Sequence, residues 1–186
     1  MVASADCVFM EDLPNGLRHL NIQQPAVAEA EFLQCCGSKS WARRMSEHLP
    51  FRNSRDLFET AETIWWDLAA EDWLEAFRSH PKIGEQKAAA EVTATSLLWS
   101  SREQSGVFDA DEATKHLLTD LNRRYEEKFG FIYIVCATGK SSEELLKILQ
   151  ERLNNDAESE LKIAASEQSK ITELRLHKLL ANFEQA

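Results

Sequence analysis

Of the five histidines, His80 is the one whose neighbours give it a direction. It follows a segment of helical pattern and precedes Pro81, which restricts the residue before it to extended conformations and lacks a backbone donor. The imidazole is therefore thrust from a helix end in a nearly fixed direction. The position equally suits a histidine that only completes a helix C-terminus, where the macrodipole favours its charge. His116 lies beside Leu117 in an apolar stripe, and His19, His48 and His177 have no partner pattern. Ser100-Ser101-Arg102-Glu103-Gln104-Ser105 follows the apolar Leu97-Leu98-Trp99. A carboxylate acceptor beside an amide that both donates and accepts is either a reader of urea-like or imide-like edges or a solvated helix face. Arg175, set among Leu174, Leu176 and Leu179, is either a carboxylate clamp or a snorkelling surface arginine. Nothing matches a phosphate-binding loop, a dinucleotide fingerprint, HExxH or a nucleophile elbow.

These residues need elements to hold them, and most of the chain reads as helix. Residues 1–26 lack a sustained period, carry a turn signal at Pro14-Asn15-Gly16 and form an N-terminal arm, partly irregular, with room for one short helix. A helix begins near Val27, and the chain turns at Gly37. Ser40 is the expected cap of a second helix, which must stop by Pro50. Ser54 is the expected cap of a third, carrying the stripe Leu57, Ala61, Ile64, Trp65 and Leu68. Glu71 to Arg78 is a further helix, halted by Pro81. Residues 84–98 read as a loop with one helical turn. Asp109 or Asp111 caps the helix carrying Leu117, Leu118, Leu121 and Tyr125, and Ser141 with Glu144 forms a capping box before the next. The last helix spans Glu158 to Asn182. The fold class expected is all-α, one compact domain over residues 27–183 with about seven to nine helices.

One segment breaks the plan. Phe131-Ile132-Tyr133-Ile134-Val135-Cys136-Ala137 is aromatic and β-branched between Gly130 and Gly139, an extended buried segment with no second strand of similar strength. Its backbone groups need partners, and either helix ends and water or a ligand supplies them.

Composition narrows the classes. Lys plus Arg is 21 against 31 Asp plus Glu, a formal charge of −10, which repels phosphate backbones and argues against nucleic acid as a partner. No apolar run approaches the roughly 20 residues a membrane span needs. The four cysteines, Cys7, Cys35, Cys36 and Cys136, have no zinc-site spacing and read as reduced thiols of a soluble intracellular protein; no metal site is expected.

Taken in order, several motifs resemble one family. Cys35-Cys36-Gly37-Ser38 with Trp41-Ala42 and Met45 is the first, and Trp73-Leu74-Glu75-Ala76-Phe77 leading into Ser79-His80-Pro81-Lys82-Ile83-Gly84 is the second. Glu103-Gln104-Ser105, Lys128-Phe129-Gly130-Phe131 through Thr138-Gly139, and Lys170-Ile171-Thr172-Glu173-Leu174-Arg175 complete the set. The chain is similar to the 2-oxo-4-hydroxy-4-carboxy-5-ureidoimidazoline (OHCU) decarboxylases from about residue 30 to 181, and most like the plant branch, where the decarboxylase is fused to a transthyretin-like hydroxyisourate hydrolase. It departs from that arrangement by ending at Ala186, so the expectation is a stand-alone enzyme or an excised domain.

The resemblance implies a lyase of urate degradation and the ureide pathway, decarboxylating OHCU to (S)-allantoin without a cofactor, since the substrate's imine is its own electron sink. By resemblance His80, Glu103 and Arg175 are catalytic. Pro81, Ser100, Gln104 and the backbone around Phe131, Ile132 and Tyr133 bind substrate. The partners implied are OHCU, a second copy in a homodimer, and a fused or associated hydroxyisourate hydrolase; the compartment is peroxisomal or cytoplasmic, although the chain ends in no Ser-Lys-Leu-type signal. The alternative is an inactive helical ligand-binding or interaction module on the same scaffold.

Overall fold

Four helix starts in the described residues are set by single side chains. Ser141 Oγ accepts from the Glu144 N–H while the Glu144 carboxylate accepts from the Ser141 N–H, so the capping box forms as the sequence predicts. Asp111 accepts from the Thr114 N–H at 2.9 Å, which settles the choice left open with Asp109. In two places the cap lies one or two residues before the expected one. Ser38, not Ser40, accepts from the Trp41 N–H, and Asn53, not Ser54, accepts from the Asp56 N–H. A cap must have extended backbone and reach the N–H three residues on, and these two residues meet both conditions.

The protein is described by a computed structural model, covering residues 13–83, 98–100, 103 and 111–184. Eight helices have their bounds among these residues: α1 (Asn15–Asn21), α2 (Pro25–Cys36), α3 (Lys39–Glu47), α4 (Ser54–Trp66), α5 (Ala70–Arg78), α6 (Glu112–Phe129), α7 (Ser142–Arg152) and α8 (Ala157–Glu184). Among the described residues there is no strand, so the all-α expectation holds. The short helix foreseen in the N-terminal arm is α1, and α2 starts at Pro25, where a missing N–H costs nothing. No described helix is long and apolar enough to cross a membrane. The loop read at 84–98 and the Asp109 alternative fall outside the described residues, save that Leu98 to Ser100 are helical.

The chain divides into two compact units, Met1–Asp72 with Thr172–Ala186, and Trp73–Ile171. In the first, Phe32, Trp41 and Phe51 pack edge to face, and the Trp41 indole N–H donates to the Ala61 carbonyl at 3.0 Å. The Asn21 amide pairs both ways with the Phe51 backbone, each bond 2.8 Å. Helix α1 approaches α8 so closely that a Cβ on Gly16 would lie 2.2 Å from the Leu180 carbonyl oxygen. Only glycine fits that crossing.

The second unit is built on Leu118, Leu121 and Tyr125 of α6, Leu145 and Leu149 of α7, and Tyr133, Val135 and Ala137 of the segment between them. Gly130 ends α6 with φ of 78°, a left-handed conformation that turns the chain out of the helix into that segment. Alternate residues of residues 132–137 enter this core, the period of an extended chain.

Candidate active site

The site begins where α5 ends. The Ser79 and His80 N–H groups close back onto the Ala76 and Phe77 carbonyls, each at 3.1 Å, and Pro81 then stops the helix. His80 is 9% exposed, buried for a residue type usually found half in water. The residues after it are tied to α6. Lys82 Nζ meets the Glu126 carboxylate at 2.7 Å, and the Asn122 amide donates to the Ile83 carbonyl at 3.2 Å and to the Leu118 carbonyl at 2.9 Å. Asn122 is itself buried, so this anchor is shielded from water.

The extended segment is the facing wall. With no neighbouring strand among the described residues, side chains take over the ladder's role at one of its edges. The Ile134 carbonyl accepts from Arg152 Nη1 at 2.7 Å, the Cys136 N–H donates to Glu167 Oε2 at 2.8 Å, and the Cys136 carbonyl accepts from Lys140 Nζ at 2.5 Å. Charged side chains thus serve these three groups. Backbone groups of residues two apart point to the same edge of an extended chain, so those of Tyr133 and Val135 face the other way.

Between these parts lies a pocket of about 380 Å3, open mouth included, lined by His80, Pro81, Ile83, Ser100, Glu103, Tyr133, Ile134, Val135, Ala137, Thr138 and Ile171. Ser100 is buried and Glu103 half-buried, so an imidazole, a hydroxyl and a carboxylate converge among apolar walls, the combination acid–base chemistry on a polar ring requires.

Electrostatics around the wall favour neutral side chains close to it and charge behind it. Burial pushes the Tyr133 phenol far above its ordinary range, and burial likewise raises the Cys136 thiol. Burial works against the charge of Glu167, yet the Lys170 ammonium and the Cys136 N–H hold its carboxyl below the usual range. It stays ionised behind the segment.

Of the candidate residues, His80, Pro81, Ser100, Glu103 and Tyr133 meet in this pocket. Phe131 packs its ring against Phe77, Tyr125 and Phe129, and Ile132 is half-buried; neither is among the described residues lining the pocket. Arg175 lies in the part of α8 assigned to the first unit and is 1% exposed, so it is a buried arginine and not a snorkelling one. Gln104 falls outside the described residues. The walls Ile83, Ile134, Val135, Ala137, Thr138 and Ile171 were not among the candidates. The available signal was the apolar run itself, whose pocket face starts at Tyr133 and extends to Thr138.

Known proteins of the same build bear on what this pocket is. A crystal structure of OHCU decarboxylase in the presence of (S)-allantoin superposes with a TM-score of 0.70 at 40% identity, covering 81% of this chain and 97% of that one. A crystal structure of (S)-allantoin synthase shares the fold at a TM-score of 0.67 and 16% identity, over 88% of this chain and 53% of that one. In sequence, the chain is 40% identical over 158 residues to the uric acid degradation bifunctional protein TTL of Arabidopsis thaliana, matching 84% of this chain and 48% of that protein. It is 32% identical over 132 residues to the 2-oxo-4-hydroxy-4-carboxy-5-ureidoimidazoline decarboxylase of Amia calva, 70% of this chain and 74% of that one. The chain thus spans about half the length of the Arabidopsis relative. The family model described as OHCU decarboxylase matches residues 21–177, which takes in α2 to α7, the whole pocket and Arg175, and the chain belongs to the OHCU decarboxylase family.

Proposed function

We propose that this chain is a carboxy-lyase that converts OHCU to (S)-allantoin in urate degradation. The observation that carries the reading is the single pocket shared by His80, Pro81, Ser100 and Glu103 against the Tyr133–Thr138 wall. The substrate's C4 bears a hydroxyl and a carboxylate beside a C5=N imine. When the C4–carboxylate bond breaks, its electron pair forms a C4=C5 bond and the imine pair moves to nitrogen, which takes up a proton; CO2 leaves. Loss of the 4-hydroxyl proton and protonation of one face of C5 then give the C4 lactam carbonyl. The substrate carries its own electron sink, so the protein's share is positioning and proton transfer.

In this reading His80 moves the proton between the 4-hydroxyl and C5, and Pro81 limits the directions from which the ring approaches. Glu103 accepts a hydrogen bond from the hydroxyl side, while Ser100 and Gln104 meet polar edges of the ring and ureido arm. Arg175 meets an anionic or carbonyl oxygen of the substrate. The backbone around Phe131, Ile132 and Tyr133 pairs with amide edges, and the reading extends that stretch by two residues to Val135, supported by Tyr133, Ile134 and Val135 lining the pocket. A homodimer and a fused or associated hydroxyisourate hydrolase belong to the same proposal.

The test is a circular dichroism time course on OHCU generated in the cuvette from urate with urate oxidase and hydroxyisourate hydrolase. The expected result is rapid decay to a stable, single-signed allantoin spectrum. His80→Asn should abolish it with helical dichroism intact, and Arg175→Ala should chiefly raise KM. Decay no faster than the blank with wild-type protein would overturn the activity, and wild-type turnover by His80→Asn would overturn its mechanism.

A further inference from the structure

Behind the pocket wall one buried cation joins several of the second unit's polar groups. Arg152, the last residue of α7, is 6% exposed. Its Nε and Nη2 lie 2.7 and 2.6 Å from the same Glu160 oxygen, and Nη2 is 3.2 Å from the Tyr125 hydroxyl. The Tyr125 hydroxyl donates to Glu160 as well, and the Asn155 amide donates to the other carboxylate oxygen at 2.7 Å. The guanidinium also lies 4.9 Å from the Tyr133 ring centroid and 5.8 Å from that of Tyr125. Nη1 is thereby aimed at the Ile134 carbonyl, 2.7 Å away.

Arg152 does not line the pocket, whereas Tyr133, Ile134 and Val135 do. A buried ion pair adds little stability over a well-packed apolar pair of the same volume, because desolvation offsets the attraction. What it can add is a fixed geometry. Guanidinium presents five N–H groups in a planar fork, so holding it on Glu160 sets the direction of Nη1 and hence the depth and register of the wall. Lysine, with one ammonium on a flexible stem, cannot serve Glu160, Tyr125 and Ile134 at fixed angles.

We propose that Arg152, oriented by Glu160 and Tyr125, is a positioning residue for the active-site wall, setting where the Tyr133–Val135 backbone meets the substrate. The kinetic part rests on the decarboxylase reading; the structural part does not. The test uses Arg152→Lys, with the double variant Arg152→Met/Glu160→Leu, which leaves no orphaned charge should the single change unfold. Amide hydrogen exchange by mass spectrometry reads the wall without substrate. Peptides covering residues 131–137 should exchange about ten-fold faster in either variant, with those of α2 to α4 unchanged. On OHCU, KM should rise about ten-fold while kcat changes less than about three-fold. Wall exchange and KM at wild-type values in a folded variant would overturn the proposal. So would acceleration spread evenly over every helix, the mark of lost global stability. Wild-type protein inert toward OHCU would refute the functional reading alone and leave the exchange result to decide this one.

Discussion

The chain has two tyrosines, Tyr133 in the pocket wall and Tyr125 behind it, both buried against Arg152, which makes alkaline titration an unusually direct probe of that network. Tyr125 and Tyr133 are 0% and 2% exposed. Burial raises both phenols well above their ordinary value of 10.0, and for Tyr125 the adjacent Glu160 carboxylate adds to that effect against the opposing pull of Arg152. In the unfolded chain each phenol loses its proton around pH 10, whereas in the folded protein it keeps it. A folded-state value raised in this way confers stability that is complete below pH 10 and is lost as pH climbs toward the folded value. By about pH 11 each tyrosine favours the unfolded state by about 1.4 kcal/mol, so the pair removes about 3 kcal/mol of a typical 5–15 kcal/mol. Cys136, whose thiol is also raised by burial, acts in the same direction from pH 9.0 upward. The assay follows phenolate absorbance and far-ultraviolet dichroism together on one sample as pH is raised. Phenolate should appear only as helical signal disappears, in one transition. Phenolate rising with a midpoint near pH 10 while the helices remain intact would refute the burial argument and the network with it.

Two further outcomes follow from packing. Gly16→Ala should lower the melting temperature, because its Cβ would sit 2.2 Å from the Leu180 carbonyl oxygen; the overpacking cost of roughly 1–3 kcal/mol exceeds the roughly 1 kcal/mol of helix propensity gained, and an equal or higher melting point would contradict it. Asn122→Ala should lose roughly 1–3 kcal/mol in chemical denaturation by orphaning the buried Ile83 carbonyl, whereas Lys82→Ala, which breaks a half-exposed ion pair, should lose less than about 1 kcal/mol. The reverse ordering would show that the ion pair, not the amide, anchors the residues after His80.

Much of the local structure was legible because its causes are local. The capping box of Ser141 and Glu144, the Asp111 cap and the Gly130 turn each depend on side chains within three or four residues, so residue type and spacing suffice. The misses at Ser40 and Ser54 have the same scale: several short polar residues stand near each start, and only backbone geometry selects among them. The candidate chemistry was legible where a motif constrains a backbone, as Pro81 constrains His80.

What the sequence by itself determined is therefore the helical plan, the helix-breaking extended run and the reactive residue types near His80 and Glu103. Composition and periodicity act through nearest neighbours and carry that far. Only the tertiary structure decided how a strand-like run survives with no sheet among the described residues. Its partners, Arg152, Glu167 and Lys140, are 18, 31 and 4 residues away from the atoms they satisfy, and nothing in a one-dimensional pattern pairs a carbonyl with a guanidinium at that separation. The same holds for the pocket. Ile83, Thr138 and Ile171 are ordinary apolar or small residues whose place around His80 follows from how α5, α6 and α8 close on the wall within the second unit, because packing, not residue type, determines which side chains share a cavity.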